Sequence, residues 1–192
     1  MGCRYSLGEL CSFYRGASTP RARMYDEGDY FYIHYGELYK GFDVSIDIEN
    51  PQKPIPRILS SEKLRPTQFL QDQDIVYVLT SETVDDLGHA YLFNNPRHLE
   101  AVAGTETTIM RVERRDIVMP AYLNYLAQTP RFQALLRQYV KGMKVFRVHP
   151  SDLARIEVDL PSLKEQSKVV TLMDAIRSEE LNLNRTNGYL PA

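Results

Sequence analysis

The sequence predicts an α/β protein of the α+β kind: a mixed-sheet domain followed by one long C-terminal helix of coiled-coil type. Three observations carry this. Residues 42–48 alternate apolar and polar, and residues 74–79 hold a continuous apolar β run, so the first two thirds build strands. After Pro120 the apolar period becomes that of a helix. From Ser162 a capping sequence opens a segment with a 4-3-4-3 spacing.

Taken in order, Tyr5 to Tyr14 reads as a short strand or helix leading into the turn Gly16-Ala17-Ser18-Thr19-Pro20, where Gly permits positive φ and Pro fixes φ. Asp29 to Leu38 is aromatic-rich and suits a strand ended by a turn at Gly36. Val44, Ile46 and Ile48 alternate with Asp43, Ser45 and Asp47, the pattern of a half-buried strand. Pro51, Pro54 and Pro56 exclude regular structure around them. The run Asp74 to Leu79 reads as a central strand, followed by a polar loop from Thr80 to Gly88. Ala90 to Phe93 and Thr107 to Val112 supply further strands.

Pro120 stands as a first-turn proline of a helix in which Leu123, Leu126 and Ala127 share a face, ending near Thr129. Pro130 opens a second helix with Phe132, Leu135, Leu136, Tyr139 and Val140 apolar and Gly142 as its stop. Val145 to Val148 is a short strand, and Ile156 and Val158 mark a segment leading to Pro161. Ser162 and Glu165 then form a capping box, and the helix runs to about Arg185, ended by Asn187-Gly188. Its seam is Val169, Met173, Ile176, Glu180 and Leu183, interrupted by Glu180; it either packs back on its own domain or pairs with another helix. The divisions are therefore a domain over 1–161, a helix over 162–185 and a tail over 186–192.

With 192 residues, 43% apolar and 10% aromatic, the chain can bury a full core and is not a disordered tail. Its 23 Lys+Arg against 25 Asp+Glu exclude nucleic-acid binding by bulk positive charge, though not by a local basic face. Residues 111–147 hold eight basic and two acidic side chains, a charge excess suited to such a face. Cys3 and Cys11 lack metal-ligand spacing and read as two thiols of a reducing compartment. No apolar run has the length of a signal sequence or a membrane span, so a cytoplasmic protein with no membrane partner is expected. His34, His89, His98 and His149 are scattered, and no HExxH, GxSxG, Gly-rich phosphate loop, methyltransferase Asn/Asp-Pro-Pro-aromatic motif or PD…ExK pattern stands out. No catalytic residue, metal or cofactor is expected on this polypeptide.

Four places now line up. Tyr5-Ser6-Leu7-Gly8-Glu9-Leu10 with Gly16-Ala17-Ser18-Thr19-Pro20 is similar to an "lgel … GgTP" pattern. Tyr32 to Leu38 is similar to "fityGDl", and Gln73-Asp74-Ile75-Val76 to "GDIL", with Gln73 in place of the usual Gly. Leu160 to Val170 is similar to "lPpl.eQ.kIv". In this order they resemble one target-recognition domain, with its trailing helix, of the specificity (S) subunit of type I DNA restriction-modification enzymes. S subunits of that family carry two such domains in tandem, separated by two long antiparallel helices. This chain, with one domain and one helix, resembles half of one.

The resemblance implies sequence-specific binding of double-stranded DNA, each domain reading half of a split target. It implies an adenine methyltransferase (M) subunit using S-adenosylmethionine and an ATP-driven restriction (R) subunit as partners, with both cofactors on those partners. Such a half is expected as a homodimer through the C-terminal helix, the alternative being a separately encoded or truncated half; the resemblance implies that this helix docks the methyltransferase, here along Val169, Met173, Ile176 and Leu183, with Glu165 and Gln166 at its start.

For DNA contact, the loop Thr80-Ser81-Glu82-Thr83 offers hydroxyls and a carboxylate to base edges, and Gly104-Thr105-Glu106-Thr107 invites the same reading. Thr19, Arg21, Arg23 and Lys40 lie at turns that can reach phosphate or guanine. Lys141, Lys144 and Arg147 surround Gly142, where the backbone can approach a phosphate. Tyrosines 25, 30, 32, 35 and 39 fit strand packing better than base stacking, since duplex bases are already stacked. The alternative is a non-DNA-binding assembly or orphan fragment that docks the methyltransferase subunit. A small hydrolase using a His and a carboxylate is the third and weakest reading.

Overall fold

The structure, a computed structural model, describes residues 2–38, 42–84 and 87–188. In chain order its elements are β1 (Cys3–Ser6), α1 (Leu7–Leu10), β2 (Cys11–Arg15), β3 (Tyr30–Ile33), α2 (Tyr35–Leu38), β4 (Ser45–Asp47), β5 (Arg57–Ile58), β6 (Ile75–Val78), β7 (Thr80–Ser81), β8 (His89–Asn94), β9 (Ala101–Ala103), β10 (Thr107–Val112), α3 (Pro120–Ala127), α4 (Pro130–Arg137), β11 (Phe146–Arg147), α5 (Pro150–Leu153), β12 (Glu157–Leu160) and α6 (Leu163–Gly188).

Strand β6 lies at the centre of a mixed sheet ordered β2-β10-β6-β8-β4, in which only the β4–β8 pair is parallel. Successive side chains of a strand point to opposite faces, and here both faces are covered. Ile75, Tyr77 and Leu79 enter one core with Met110, Val112 and Leu92, under Leu123, Phe132, Leu136 and Leu153 of the helices. Val76 and Val78 enter a second core with Ile109, Tyr91, Phe93, Ile33 and Leu38. Two cores account for the lack of alternation in this run. In β4, by contrast, Ile46 is buried and Asp47 exposed, which accounts for the alternation there.

At the head of β6, Asp74 accepts two hydrogen bonds from the Arg111 guanidinium of β10, at 2.9 and 2.7 Å, and one from the Gln71 amide. Arg111 also donates to the Phe69 carbonyl at 3.1 Å. Asp74 is buried and every one of these groups is matched, so removal of either partner would cost about 3–5 kcal/mol. One residue earlier Gln73 has φ of 68°. This is left-handed backbone, which explains why glycine suits the position.

A smaller sheet, β5-β3-β9, pairs β3 parallel to β9 and antiparallel to β5. Tyr32 of β3 is fully buried. Its hydroxyl donates to the Ala17 carbonyl at 2.8 Å and accepts from the amides of Thr19 and Thr105 at 3.1 and 3.0 Å. It thereby ties the turn after β2 to the turn between β9 and β10. Those turns touch so closely that a Cβ at Gly16 would collide with the Gly104 carbonyl oxygen and the Thr107 hydroxyl. Of the remaining strands, β7 pairs with β11, and β1 pairs with β12, bringing the two ends of the domain together.

Helix α6 begins with the expected capping box: Glu165 Oε2 accepts from the Ser162 amide and hydroxyl at 3.0 and 2.8 Å. It packs on the domain through Gln166, Val170, Met173 and Arg177, four residues on one stripe. Gln166 accepts from the Met119 amide at 2.9 Å and donates to the carbonyls of Ile117 and Pro161 at 2.8 and 2.9 Å. Further along, the Tyr125 hydroxyl meets Asp174 at 2.6 Å and Arg177 pairs with Asp43 at 2.7 Å.

Four sequence expectations change. Gly36 lies inside the helical turn α2, where the His34 ring accepts the Gly36 amide, rather than in a bend. Helix α4 ends at Arg137, well before Gly142, because Gly142 belongs to a hairpin. Helix α6 reaches Gly188, past Arg185, so residues 186–188 of the expected tail are helical and the rest lie outside the described residues. The charge excess over 111–147 does not make one face: Arg111 is internal, Arg114 pairs with Asp116 and Arg131 with Asp159.

Two stability predictions follow from these geometries. Gln73→Gly relieves the left-handed backbone and raises unfolding stability by about 0.5–1 kcal/mol, whereas Gln73→Val lowers it by about 1–2 kcal/mol, both measured by denaturant unfolding. Tyr32→Phe leaves the Ala17 carbonyl and the Thr19 and Thr105 amides without their partner and lowers stability by about 2 kcal/mol. An unchanged unfolding midpoint would show that water replaces the hydroxyl.

Candidate nucleic-acid interface

The chain leaves β6 through Leu79 into the two-residue strand β7, which pairs antiparallel with β11: Ser81 faces Phe146 and Thr80 faces Arg147. The Val148 amide donates to the Leu79 carbonyl at 2.9 Å. Strand β11 in turn closes a hairpin, since Lys141 and Arg147 exchange backbone hydrogen bonds of 2.9 and 2.8 Å. Gly142 takes φ of 124°, and a Cβ there would collide with the Val145 carbonyl oxygen. Only glycine turns the hairpin this tightly.

Two adjoining concavities result. One is lined by Tyr35, Thr80 to Thr83, Glu106, Val145 and Arg147. The other is lined by Arg15 to Ser18, Leu79, Thr80, Thr105 to Thr108, Lys141 and Arg147 to Pro150. Thr80, Glu106 and Arg147 belong to both. Segments far apart in sequence, the Gly16 turn, the loop after β6, the β9–β10 turn and the hairpin, thus meet at one end of the large sheet.

Two of the cations here are paired. Lys141 Nζ lies 2.7 Å from Asp152, whose carboxyl this hydrogen bond holds below the usual carboxylate range, with Arg155 and His149 adding to the effect. Arg147 meets Glu106 at 3.5 Å, and Glu106 itself has φ of 59°. Lys144 is exposed near the hairpin tip. The Ser81 hydroxyl accepts from the Thr83 amide at 3.2 Å, which shapes the loop, while Glu82 and Thr83 are exposed. Thr105 is half-buried against the Tyr32 hydroxyl.

Other expected contacts lie elsewhere. Thr19 is only 3% exposed, with its amide bonded to Tyr32, so it shapes the turn and offers no surface to a duplex. Arg21 and Arg23 sit on a 3-10 turn beyond it. The Arg21 guanidinium lies beside Gly36, next to Tyr35 of the cleft, and Arg23 pairs with Glu62 at 3.3 Å. Lys40 falls outside the described residues. What the sequence reading missed is the cleft position of Tyr35, the hub hydroxyl of Tyr32, and Met143, whose side chain stands 95% exposed on the hairpin. A methionine between Gly142 and Lys144, in the middle of a basic segment, was the available signal for the last.

On helix α6, Gln166 is fully buried within its own chain, which removes it from any partner surface. Met173 is half-buried on the same side. Val169, Ile176 and Leu183 are 41%, 52% and 53% exposed, joined by Leu172, so most of the expected seam faces outward. Glu165 serves the cap. Among the described residues no His, Cys, Asp and Glu cluster suits a metal ion, and no helix is long and apolar enough to cross a membrane.

No protein-family model and no curated protein matches the chain. Solved structures do. A structure concerned with complex assembly and conformational transition of the type I R-M system matches with a TM-score of 0.66 at 21% identity, over 97% of this chain and 40% of that one. The type I restriction-modification S subunit from M. genitalium matches at 0.64 and 13% identity, over 96% and 41%. The HsdS subunit from Thermoanaerobacter tengcongensis matches at 0.62 and 21% identity, over 96% and 39%. The chain spans about two fifths of the length of each, and it shares the fold of that part of the type I S subunits.

Proposed function

We propose that this chain is a sequence-specific double-stranded DNA-binding (half-)subunit of a type I restriction-modification system. The observation that carries the reading is the meeting of four loops at one sheet end, inside a fold shared with S subunits. The loop Thr80 to Thr83 and the turn at Thr105 and Glu106 offer acceptors and hydroxyls to base edges. Lys141, Lys144 and Arg147 hold phosphates, with Arg21 on the flank. The chain directs a DNA adenine methyltransferase subunit and a restriction subunit to a split site, while S-adenosylmethionine and ATP act on those partners. It works in the cytoplasm and performs no catalysis itself.

Helix α6 is the assembly element. Its outward stripe of Val169, Leu172, Ile176 and Leu183 joins a second copy or the methyltransferase subunit, and its inward stripe holds the recognition domain. A homodimer would read a split palindrome, because protein symmetry is mirrored in the site. One observation favours the rival reading of an assembly fragment that binds no DNA: Lys141 and Arg147 are already paired with carboxylates.

Selection from a randomised duplex pool, with and without the methyltransferase subunit and at two salt concentrations, separates the two. Enrichment of a split palindrome that weakens with salt supports the DNA reading; no salt-sensitive enrichment in either case sinks it. For the helix, Val169→Asp combined with Ile176→Asp keeps the unfolding midpoint, since both side chains are exposed, and lowers self-association or methyltransferase capture at least tenfold. Full assembly by a folded double variant would overturn the role given to the helix.

A further inference from the structure

Among the described residues, Met143 is the most exposed of the large apolar side chains, at 95%. It is not placed there by slack chain. The Lys141–Arg147 backbone pair closes the hairpin, the positive φ of Gly142 fixes its turn, and β11 fastens it to β7 beside the cleft. Val145, 43% exposed, adds apolar surface next to it. Lys141, Lys144 and Arg147 lie within the same seven residues. The hairpin is thus a tight loop closed by one backbone pair, with three cations and an apolar tip.

Cations alone account for phosphate binding. An apolar tip gains nothing from phosphate, and it gains nothing from the protein's own cores, which it does not touch. On a polyanionic duplex the apolar group offered at a base edge is the C5 methyl of thymine, which is displayed in the major groove. That groove, about 12 Å wide, admits a two-stranded β-ribbon, whereas the minor groove at about 6 Å does not.

We propose that Met143 is a specificity-determining residue: the 141–147 hairpin enters the major groove and the Met143 side chain packs on a thymine methyl, with Lys144 beside it on the backbone. This rests on the DNA-binding reading above. It adds a base, a groove and a residue that the polar loops do not supply.

The test uses the full chain and the duplex that it enriches from a randomised pool, in complex with the methyltransferase subunit if enrichment needs it. Each thymine is replaced singly by uracil, which lacks only the methyl. One position costs the wild-type protein about three- to fivefold in affinity, the worth of one buried methyl. Met143→Ala loses affinity for the unmodified duplex by a similar factor and no longer responds to uracil at that position. Its salt dependence stays at the wild-type slope. Lys144→Ala behaves oppositely, lowering the slope by about one and keeping the uracil response.

Gly142→Ala, which displaces the tip without removing it, abolishes the uracil response. Three results overturn the proposal: no uracil-sensitive position, a Met143→Ala variant that binds and discriminates as wild type, or a uracil response that survives Met143→Ala. Brightening of 2-aminopurine opposite the tip, lost in Met143→Ala, also overturns it, because it marks a wedge between base steps. If no duplex is enriched at all, the DNA-binding reading fails and this inference with it. Enrichment without Met143 dependence sinks the inference alone.

Discussion

The Tyr32 hydroxyl is a single buried group with three partners, and the geometry of the cleft depends on it. The large sheet fixes where β2 ends and where β10 begins, but not how the turns beyond those strands lie on each other. Tyr32 does that, by taking the Ala17 carbonyl and the Thr19 and Thr105 amides onto one oxygen. Such groups are costly to bury unmatched. The arrangement therefore has one good solution: Gly16 against Gly104, Thr19 turned inward, and Thr105 and Glu106 facing the loop after β6. Glu106 carries its left-handed backbone at the outer edge of this packing, beside Arg147.

Electrostatics set how that face can be used. The cations most suited to phosphate, Lys141 and Arg147, are largely exposed, and each meets a carboxylate, Asp152 and Glu106. The Arg147–Glu106 pair is exposed and worth about 0–1 kcal/mol, so exchanging its carboxylate for a phosphate costs little, whereas Asp152 is largely buried and also pairs with Arg155. In the reading proposed above, the carboxylates also hold the long side chains in place and repel phosphates that arrive in the wrong register. A face built in this way gives up non-specific affinity and keeps selectivity, which suits a chain with a net charge of −2. In the reading proposed above, discrimination comes from shape and base-edge contacts, and charge supplies register.

How much of this was legible in the sequence depended on how local the cause was. The run at 74–79 announced a strand buried on both faces, and the Ser162–Glu165 capping box was readable to the hydrogen bond, because both depend on neighbouring residues. The loop from Thr80 and the hairpin around Gly142 were recognisable as polar and basic segments. Their pairing was not, since β7 and β11 lie more than sixty residues apart and each is two residues long. Thr19 looked exposed because turns usually are; the Tyr32 hydroxyl that buries it is a tertiary fact. The count of positive residues over 111–147 misled for the same reason: Asp74, Asp152 and Asp159, which neutralise part of it, lie outside that window.

The closing helix shows how one sequence pattern serves two surfaces. A 4-3-4-3 spacing marks an apolar stripe but not which neighbour it meets. Here the stripe is split: Gln166, Val170, Met173 and Arg177 face the domain, and Val169, Leu172, Ile176 and Leu183 lie roughly 100° further around the axis, facing out. The inward contacts are unusually polar for a docked helix. Gln166 holds three backbone groups of the domain and its own lead-in, while Tyr125–Asp174 and Arg177–Asp43 clasp the helix about two turns further on. Apolar packing alone would let the helix slide or roll, because it is not directional. Directed hydrogen bonds at two points remove both freedoms. In the reading proposed above, the cleft must sit at a set distance from a second reader, and a helix about 39 Å long turns a small change of angle at its base into several ångströms at its far end.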